Sequence, residues 1–452
     1  MSSLTYMQLL RRNQSFRRLW AGQVVSELGN WFNFIAGLGL VRTVSVASPE
    51  ATAMLIVARL APFALLAPFA GALVDRWSRR TVMIASDAAR AIFALGFLFV
   101  RGPEDLWIAY ACTAASSVLS AFFEAGKNAA LPNITGDREL LAGNALMISS
   151  RFLLMAVGAA LGGEAAARFG YDAAFVINAL SFIVSAYSIW RIPEDEMRAA
   201  PNARAVGVPD IDERGHHFRR FWADLREGWT YVASHSLIAA LIGINIMWAV
   251  GGGAINLIYD RLGSVVFADA GGWKGDQGVA AIYTAVAVGL LIGMMLARRV
   301  GTHVEMRGAT PTLIGWMLIG QGVLFALAGL MPTLWLAGVM MLLSRILIGI
   351  EFAVHETLMM RLLPDNLRGR VFTTDRAAEV AVMSIAGVLA GWSLNGALTP
   401  RTLTIVSGLL SASPGVVWLI LFAAGKLRMP NGANLSDESP PDNEDEAAVC
   451  VS

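Results

Sequence analysis

Apolar runs of about 20 residues recur from residue 19 to residue 425, broken by short polar connections. A run of that length, wound as a helix, matches the hydrocarbon thickness of a bilayer. Composition agrees: 56% of the 452 residues are hydrophobic and 15% are charged, where soluble proteins carry about 25% charged residues. A soluble chain of this length would divide into domains with polar surfaces. This one reads as an integral membrane protein.

The runs resolve into twelve helices in two sets. The first six lie near 19–41, 51–73, 82–100, 106–125, 140–166 and 172–190, making residues 1–190 an N-terminal six-helix bundle. The second six lie near 236–259, 278–297, 311–330, 333–354, 377–397 and 403–425, making 236–425 a C-terminal bundle. Lys and Arg crowd one side: Arg11, Arg12, Arg17 and Arg18 before the first span, Arg76, Arg79 and Arg80 after the second, and Arg298, Arg299, Arg368, Arg370 and Arg376 later. The other side receives Arg42, Arg101, Arg168, Arg261, Lys274 and Arg401. The positive-inside bias therefore predicts both termini in the cytoplasm of a cell-membrane protein.

A polar segment, 191–235, links the bundles. Within it Phe218, Phe221, Trp222, Leu225, Trp229 and Val232 follow helical spacing and predict an amphipathic helix lying on the cytoplasmic interface. The acidic tail, 426–452, with Pro440, Pro441 and "DNEDE", reads as disordered. Cys112 and Cys450 form neither a disulfide framework nor a metal cluster, and no metal site is expected. The first residues lack a signal peptide's short apolar core and cleavage site; their arginines lead straight into a span.

Each set carries an acid-to-proline segment after its fourth helix: "EAGKNAALP" from Glu124 and "ETLMMRLLP" from Glu356. With the matching topology, this predicts two duplicated halves related by an axis along the membrane normal. No phosphate loop of the G-x-x-x-x-G-K-[ST] type occurs, so ATP-driven pumping within the chain is not expected. "HETLM" at His355 lacks the second His of a zinc protease, and no nucleophile elbow is present. A carrier is expected, not an enzyme.

Four charges interrupt the oil at "GALVDRWSRR", Gly71 to Arg80. This stretch resembles the signature G-x-L-x-D-R-x-G-R-R of the major facilitator superfamily, with Ser78 in place of the second glycine. More narrowly, "RNQSFRRLWAGQVVSELGNWF", "FFEAGKNAALP", "FWADLREGW" and "LRGRVF" resemble its drug:proton antiporter branch, which includes macrolide and enterobactin exporters. The resemblance covers residues 10–425 and implies an all-α membrane fold of two pseudo-symmetric six-helix bundles rocking around a midplane site. It also implies a cytoplasmic latch of Asp75 and Arg76, supported by Arg80, engaging the start of the eleventh span near Arg376 and Ala377, while Gly71 lets helices approach closely. Arg79 reads more simply as a topology anchor. The second half has no matching acid in "LARRVGTHVEMRG", so the latch is asymmetric.

Ionisable residues inside spans are costly and are functional candidates. Glu27 lies about 12 Å into the first span, at about 1.5 Å per residue, one turn from Asn30 and near Asn33. The branch often has an acid in the segment where this chain has Asn30, so Glu27 is the expected proton carrier, with Asn30 beside it; a carboxylate withdrawn from water holds its proton more tightly. The alternative is that Glu27 is a structural partner for an arginine. Arg59, Arg151 and Arg345 also fall near mid-membrane, setting three cations against one carboxylate. Either an anionic group of the cargo binds Arg151 or Arg345, or Arg59 pairs with Glu27 and the others bond backbone or outlying acids. Arg59, Arg151, Arg345 and Asn33 are thus the candidate cavity residues.

Branch members commonly carry a Gly-Pro pair in the fifth span; here Gly158 precedes Ala159, while Gly162 and Gly163 remain. The superfamily's usual arginine in the fourth span is absent, with Thr113, Ser116 and Ser117 there. Gly251, Gly252 and Gly253 either loosen the seventh span as a hinge or serve close packing. The expected function is proton-coupled efflux of amphiphilic small molecules such as drugs, siderophore-like metabolites or lipids. The alternative is uptake or facilitated transport of an organic anion. No cofactor beyond the proton motive force is expected; the partners are the small-molecule substrate, protons and the bilayer, with no nucleic acid, for a monomer.

Overall fold

In the computed structural model, which describes residues 6–74, 77–197, 229–268, 275–306 and 308–427, all regular structure among the described residues is helical. The N-terminal half contains α1 (Tyr6–Arg12), α2 (Gln14–Val44), α3 (Pro49–Val74), α4 (Arg79–Gly96), α5 (Leu106–Phe169) and α6 (Tyr171–Trp190). The C-terminal half contains α7 (Ser236–Gly252), α8 (Ile255–Arg261), α9 (Gly275–Glu305), α10 (Thr310–Ala328), α11 (Leu334–Leu362), α12 (Asp365–Ser393) and α13 (Pro400–Ala423).

At 64 residues, α5 is about 96 Å of helix, far more than one crossing needs. It bends at Gly136, whose φ of 65° is open to glycine at little steric expense, just after Pro132 removes one backbone donor. Its two arms are separate spans, Pro103–Gly136 and Glu139–Phe169. The repeat segment explains the matching break in the other half: Pro364, eight residues after Glu356, caps the start of α12 with extended dihedrals, and α11 ends at Leu362.

Eleven helices among the described residues are long and apolar enough to cross a membrane. The twelfth is α12, whose first half carries Arg376 and Glu379. The seventh span is interrupted: α7 ends at Gly252, α8 begins at Ile255, and a π turn, Leu262–Val266, follows. Ser78, which replaces a glycine of the signature, is the N-cap of α4 and accepts from the Thr81 N–H at 3.5 Å, a role for which serine is preferred.

In the N-terminal half α2 and α4 pack against α5 and α6, and α3 against α5. In the other half α9 and α10 pack on α11, and α7 and α10 on α13. The halves meet chiefly where α5 lies on α9 and α3 on α12. Counted as spans these are the fifth with the eighth and the second with the eleventh. Adding six exchanges the two pairs, which is what duplication about a two-fold axis requires. Twelve crossings place both described chain ends on one side, here the terminal side.

The predicted amphipathic helix at Phe218 lies largely outside the described residues. Its last part, 229–234, is helical, and Val232 packs with Leu237 and Leu241. The tail beyond Leu427 is also outside the described residues.

Candidate functional site

A cavity of about 330 Å³ opens within the N-terminal half, closed on one flank by α12. Gln23, Glu27, Asn30 and Asn33 line it from α2; spaced four and three residues apart, they form one stripe of a helix. Arg59, Leu60 and Phe63 face them from α3, and Thr113, Ser116, Ser117 and Ser120 come from the first arm of α5. Arg151 stands on the second arm, Arg90 on α4, Asn178 and Phe182 on α6, and Thr373, Arg376, Ala377 and Val380 on α12. One wall is therefore polar and the other, with Leu60, Phe63, Ala64, Ala67 and Val380, is apolar.

Charge in the walls is mostly paired. The Arg151 Nε is 3.8 Å from a Glu27 oxygen. Arg90 forms an ion pair with Asp87 at 3.0 Å, reaches Asn30 Oδ1 at 3.4 Å, and lies 4.1 Å from the centroid of the Phe182 ring. Lys127 holds Glu124 at 2.6 Å, and Arg376 pairs with Glu379. Arg59 is different. Among the described residues it has no carboxylate within ion-pair distance; it lies over Phe34 at 4.2 Å and Trp31 at 5.7 Å, on an aromatic cluster shared with Tyr283 and Tyr259 of the other half. One positive charge is left over, and it sits at the cavity wall.

The sequence expectations separate here. Glu27, Asn30, Asn33, Arg59 and Arg151 are brought together around one cavity. Arg345 is not. It is buried in the C-terminal half beside Ser344 at 3.3 Å, with its guanidinium 5.3 Å from the Phe325 ring, and does not line this cavity. Its position near mid-span fixed its depth but not which way it faced. The mid-membrane inventory is also larger than three cations and one acid, since Asp87, Arg90 and Glu124 join it.

The gate expectations fare unevenly. Asp75 and Arg76 lie outside the described residues. Arg80 donates to the Trp190 carbonyl, tying α4 to the end of α6, and Arg79 donates to the Ala129 carbonyl at 2.8 Å. Among the described residues no helix is packed on Gly71: a Cβ there would meet nothing within 4 Å. In the fifth span, Gly158 and Gly162 seat α2, where a Cβ would come 2.7 Å from the Trp31 Cβ and 3.1 Å from the Phe32 Cα, while Gly163 seats α9 at Ala280 and the Asp276 carbonyl. Close packing also explains Gly251, held against Ser407 and Ser411 of α13, and Gly253, against Met383 and Ala386 of α12. Gly252 faces Trp248 of its own helix. The helix break at Gly253 and Ala254 accompanies that packing.

The side away from the termini is sealed by charge. The two terminal nitrogens of Arg42, at the end of α2, bond Asp260 of α8 and Asp276 of α9. Arg261 reaches back to the Ala47 and Ser48 carbonyls at 2.8 Å and to the Thr52 hydroxyl at 2.7 Å. The Tyr171 hydroxyl donates to Asp276 at 3.0 Å, and the Gln277 amide to Glu164 at 2.8 Å. Sequence reading missed this latch by counting Arg42 and Arg261 only toward topology. It missed Asp87 and Arg90 as well, although two opposite charges three residues apart within a span are a legible signal.

Comparison with known proteins agrees with this architecture. The family described as "Major Facilitator Superfamily" matches residues 19–378. The chain is 26% identical over 400 residues, 85% of this chain and 88% of the relative, to the uncharacterized MFS-type transporter YfiS of Bacillus subtilis (strain 168). It is 28% identical over 186 residues, 41% of this chain and 45% of the relative, to a protein of the same strain named "Putative bacilysin exporter BacE". A bacterial homologue of the iron transporter ferroportin superposes with a TM-score of 0.64 at 13% identity, over 90% of this chain and 98% of that one; at that identity the likeness concerns the fold.

Proposed function

This chain belongs to the Major Facilitator Superfamily and is a multi-pass membrane transporter, and we propose that it exports small amphiphilic molecules by alternating access, driven by protons. The carrying observation is the Glu27–Arg151 pair, 3.8 Å apart in the wall of a cavity of about 330 Å³ that joins polar and apolar faces. With Glu27 ionised, the acid and Arg151 together offer a site to the polar part of a cargo; protonating Glu27 removes the acid and weakens that site, and deprotonation restores it. Cargo and proton then compete for the Glu27 carboxylate, the simplest basis for exchange. The apolar wall suits the oily part of an amphiphile, and the serine and asparagine stripe orients its polar part.

Supporting this direction, part of the chain resembles a protein named as an exporter. On the positive-inside reading, the terminal side is cytoplasmic in a cell membrane, and the charge-sealed far side supports an inward-facing state that loads cargo. The cavity is lined by residues of one chain, which supports a monomer as the working unit, and the proton gradient takes the place of any cofactor.

The test is purified protein in vesicles with an imposed pH gradient, screened for uphill movement of amphiphilic solutes. Glu27→Gln is expected to abolish uphill movement while leaving downhill exchange. Uphill movement that survives this substitution would end the proposal. A second reading, carriage of an organic anion, is favoured by the unpaired positive charge of Arg59; in the same screen it would show as preference for anionic over neutral analogues.

A further inference from the structure

The C-terminal half buries an ionisable cluster that the cavity does not use. His355 lies one turn from Glu351 on α11, with its Nδ1 3.4 Å from a Glu351 oxygen. Asp375 of α12 lies near enough to interact electrostatically with His355, with Glu379 one turn further along α12, and the Asn245 amide of α7 donates to Asp375 at 3.0 Å. Glu351, His355, Asp375 and Glu379 are 6%, 9%, 8% and 5% exposed. Four ionisable groups at that depth must balance.

They do not balance as carboxylates. Arg376 is committed to Glu379. That leaves Glu351 and Asp375 sharing one imidazole, and an imidazolium neutralises only one of them. The second Asp375 oxygen, Oδ1, is buried with no hydrogen-bond partner, as is the Trp248 indole N–H. Trp248, Glu351, His355 and Asn245 line a void of about 40 Å³, enough for a water by the usual measure of about 10–15 Å³. Among the described residues no other charge makes up the difference. On α11 the nearest is Glu356, a further acid; α10 contributes only Leu318 to the void; and Glu305, on α9, is already paired with Arg361.

The position of the cluster connects it to the cavity. Thr373, Arg376, Ala377 and Val380 line the cavity from α12. At about 100° per residue, Asp375 and Glu379 project roughly 150° and 110° away from the mean direction of these four around the same helix. One helix is the partition: cargo cavity on one face, acid–imidazole cluster on the other, with Arg376 at the cavity and bonded back to Glu379.

We infer that Glu351, His355 and Asp375 form a second proton-binding site, in the half of the protein opposite Glu27 and sharing the α12 wall with the cargo cavity. Proton binding there is independent of Glu27; its link to cargo movement rests on the proton-coupled reading above. A proton gained or lost by the cluster changes how tightly α12 is held to α7, and α12 is one of the two helices of the C-terminal half on which the halves chiefly meet.

The experiment is a pH titration of the full chain in lipid nanodiscs, followed by infrared difference spectroscopy of protonated carboxyl groups. The wild type is expected to show, besides the band of Glu27, a reversible carboxyl band from this cluster. Asp375→Asn should remove it, His355→Gln should displace its midpoint by about one pH unit, and Glu27→Gln should leave it in place. Glu351→Gln, which should likewise alter the band, covers the event that Asp375→Asn fails to fold. An unchanged band in Asp375→Asn and Glu351→Gln would overturn the site. So would a change produced by sodium at fixed pH. In vesicles, uphill transport lost in Glu27→Gln but intact in Asp375→Asn would overturn the link to cargo while sparing the primary reading.

Discussion

Arg42→Ala should unlock the far side of the transporter. The guanidinium bonds two acids of the opposite half, and its side chain is 12% exposed, against 0% for Asp260 and 13% for Asp276. Removing one partner of a buried ion pair costs about 3–5 kcal/mol, because a charge is left behind without compensation. The lower end applies here, since Arg261 remains 3.5 Å from Asp260 and Tyr171 still donates to Asp276. These bonds cross between the halves, so they exist only while the far side is closed; once it opens, both acids meet water. The whole loss of about 3 kcal/mol therefore falls on one state, a shift of about 100-fold at 1.4 kcal/mol per decade. A population near 99:1 in favour of closure would move to about even. Spin labels at Glu104 and Leu330, on far-side connections of opposite halves, would report this by pulsed electron resonance, with Cys112 and Cys450 replaced by serine. A second, longer distance should appear in Arg42→Ala and shrink when Asp260→Asn is added. Arg42→Lys should recover little, because one ammonium cannot reproduce a fork held by two separate acids. Unaltered distances in a well-folded Arg42→Ala protein would refute the electrostatic latch.

Three further outcomes follow from the packing and the cavity. Gly163→Ala should impair transport and lower thermal stability by about 1–3 kcal/mol through overpacking against α9, whereas Gly71→Ala should be neutral or slightly stabilising, since its Cβ meets open space; thermal unfolding in detergent compares them. Asp87→Asn leaves Arg90 buried beside Phe182 without its carboxylate and should cost about 3–5 kcal/mol, read as a loss of folded yield and melting temperature. Arg59→Gln should alter relative uptake of anionic and neutral solutes, while Arg345→Gln, outside the cavity, should leave selectivity unchanged; competition assays in vesicles distinguish the two.

The membrane class, the span positions and the duplication were legible in the chain because each is a one-dimensional property. Span length follows from bilayer thickness, and the segments at Glu124 and Glu356 keep the same acid-to-proline spacing in both halves. Depth within a span was legible too, and this is why Glu27, Asn30, Asn33, Arg59 and Arg151 were found. Facing was not. Arg345 sits at a similar depth to Arg59, yet one packs inside the C-terminal half and the other lines the cavity, because helix rotation is set by the neighbours it packs against. Pairing was hidden for the same reason: Arg42 meets acids 218 and 234 residues away, and Asp375 meets Asn245 across 130. Solvent chemistry wrote the crossings into the sequence; which charges would find each other was decided only when the two halves closed together.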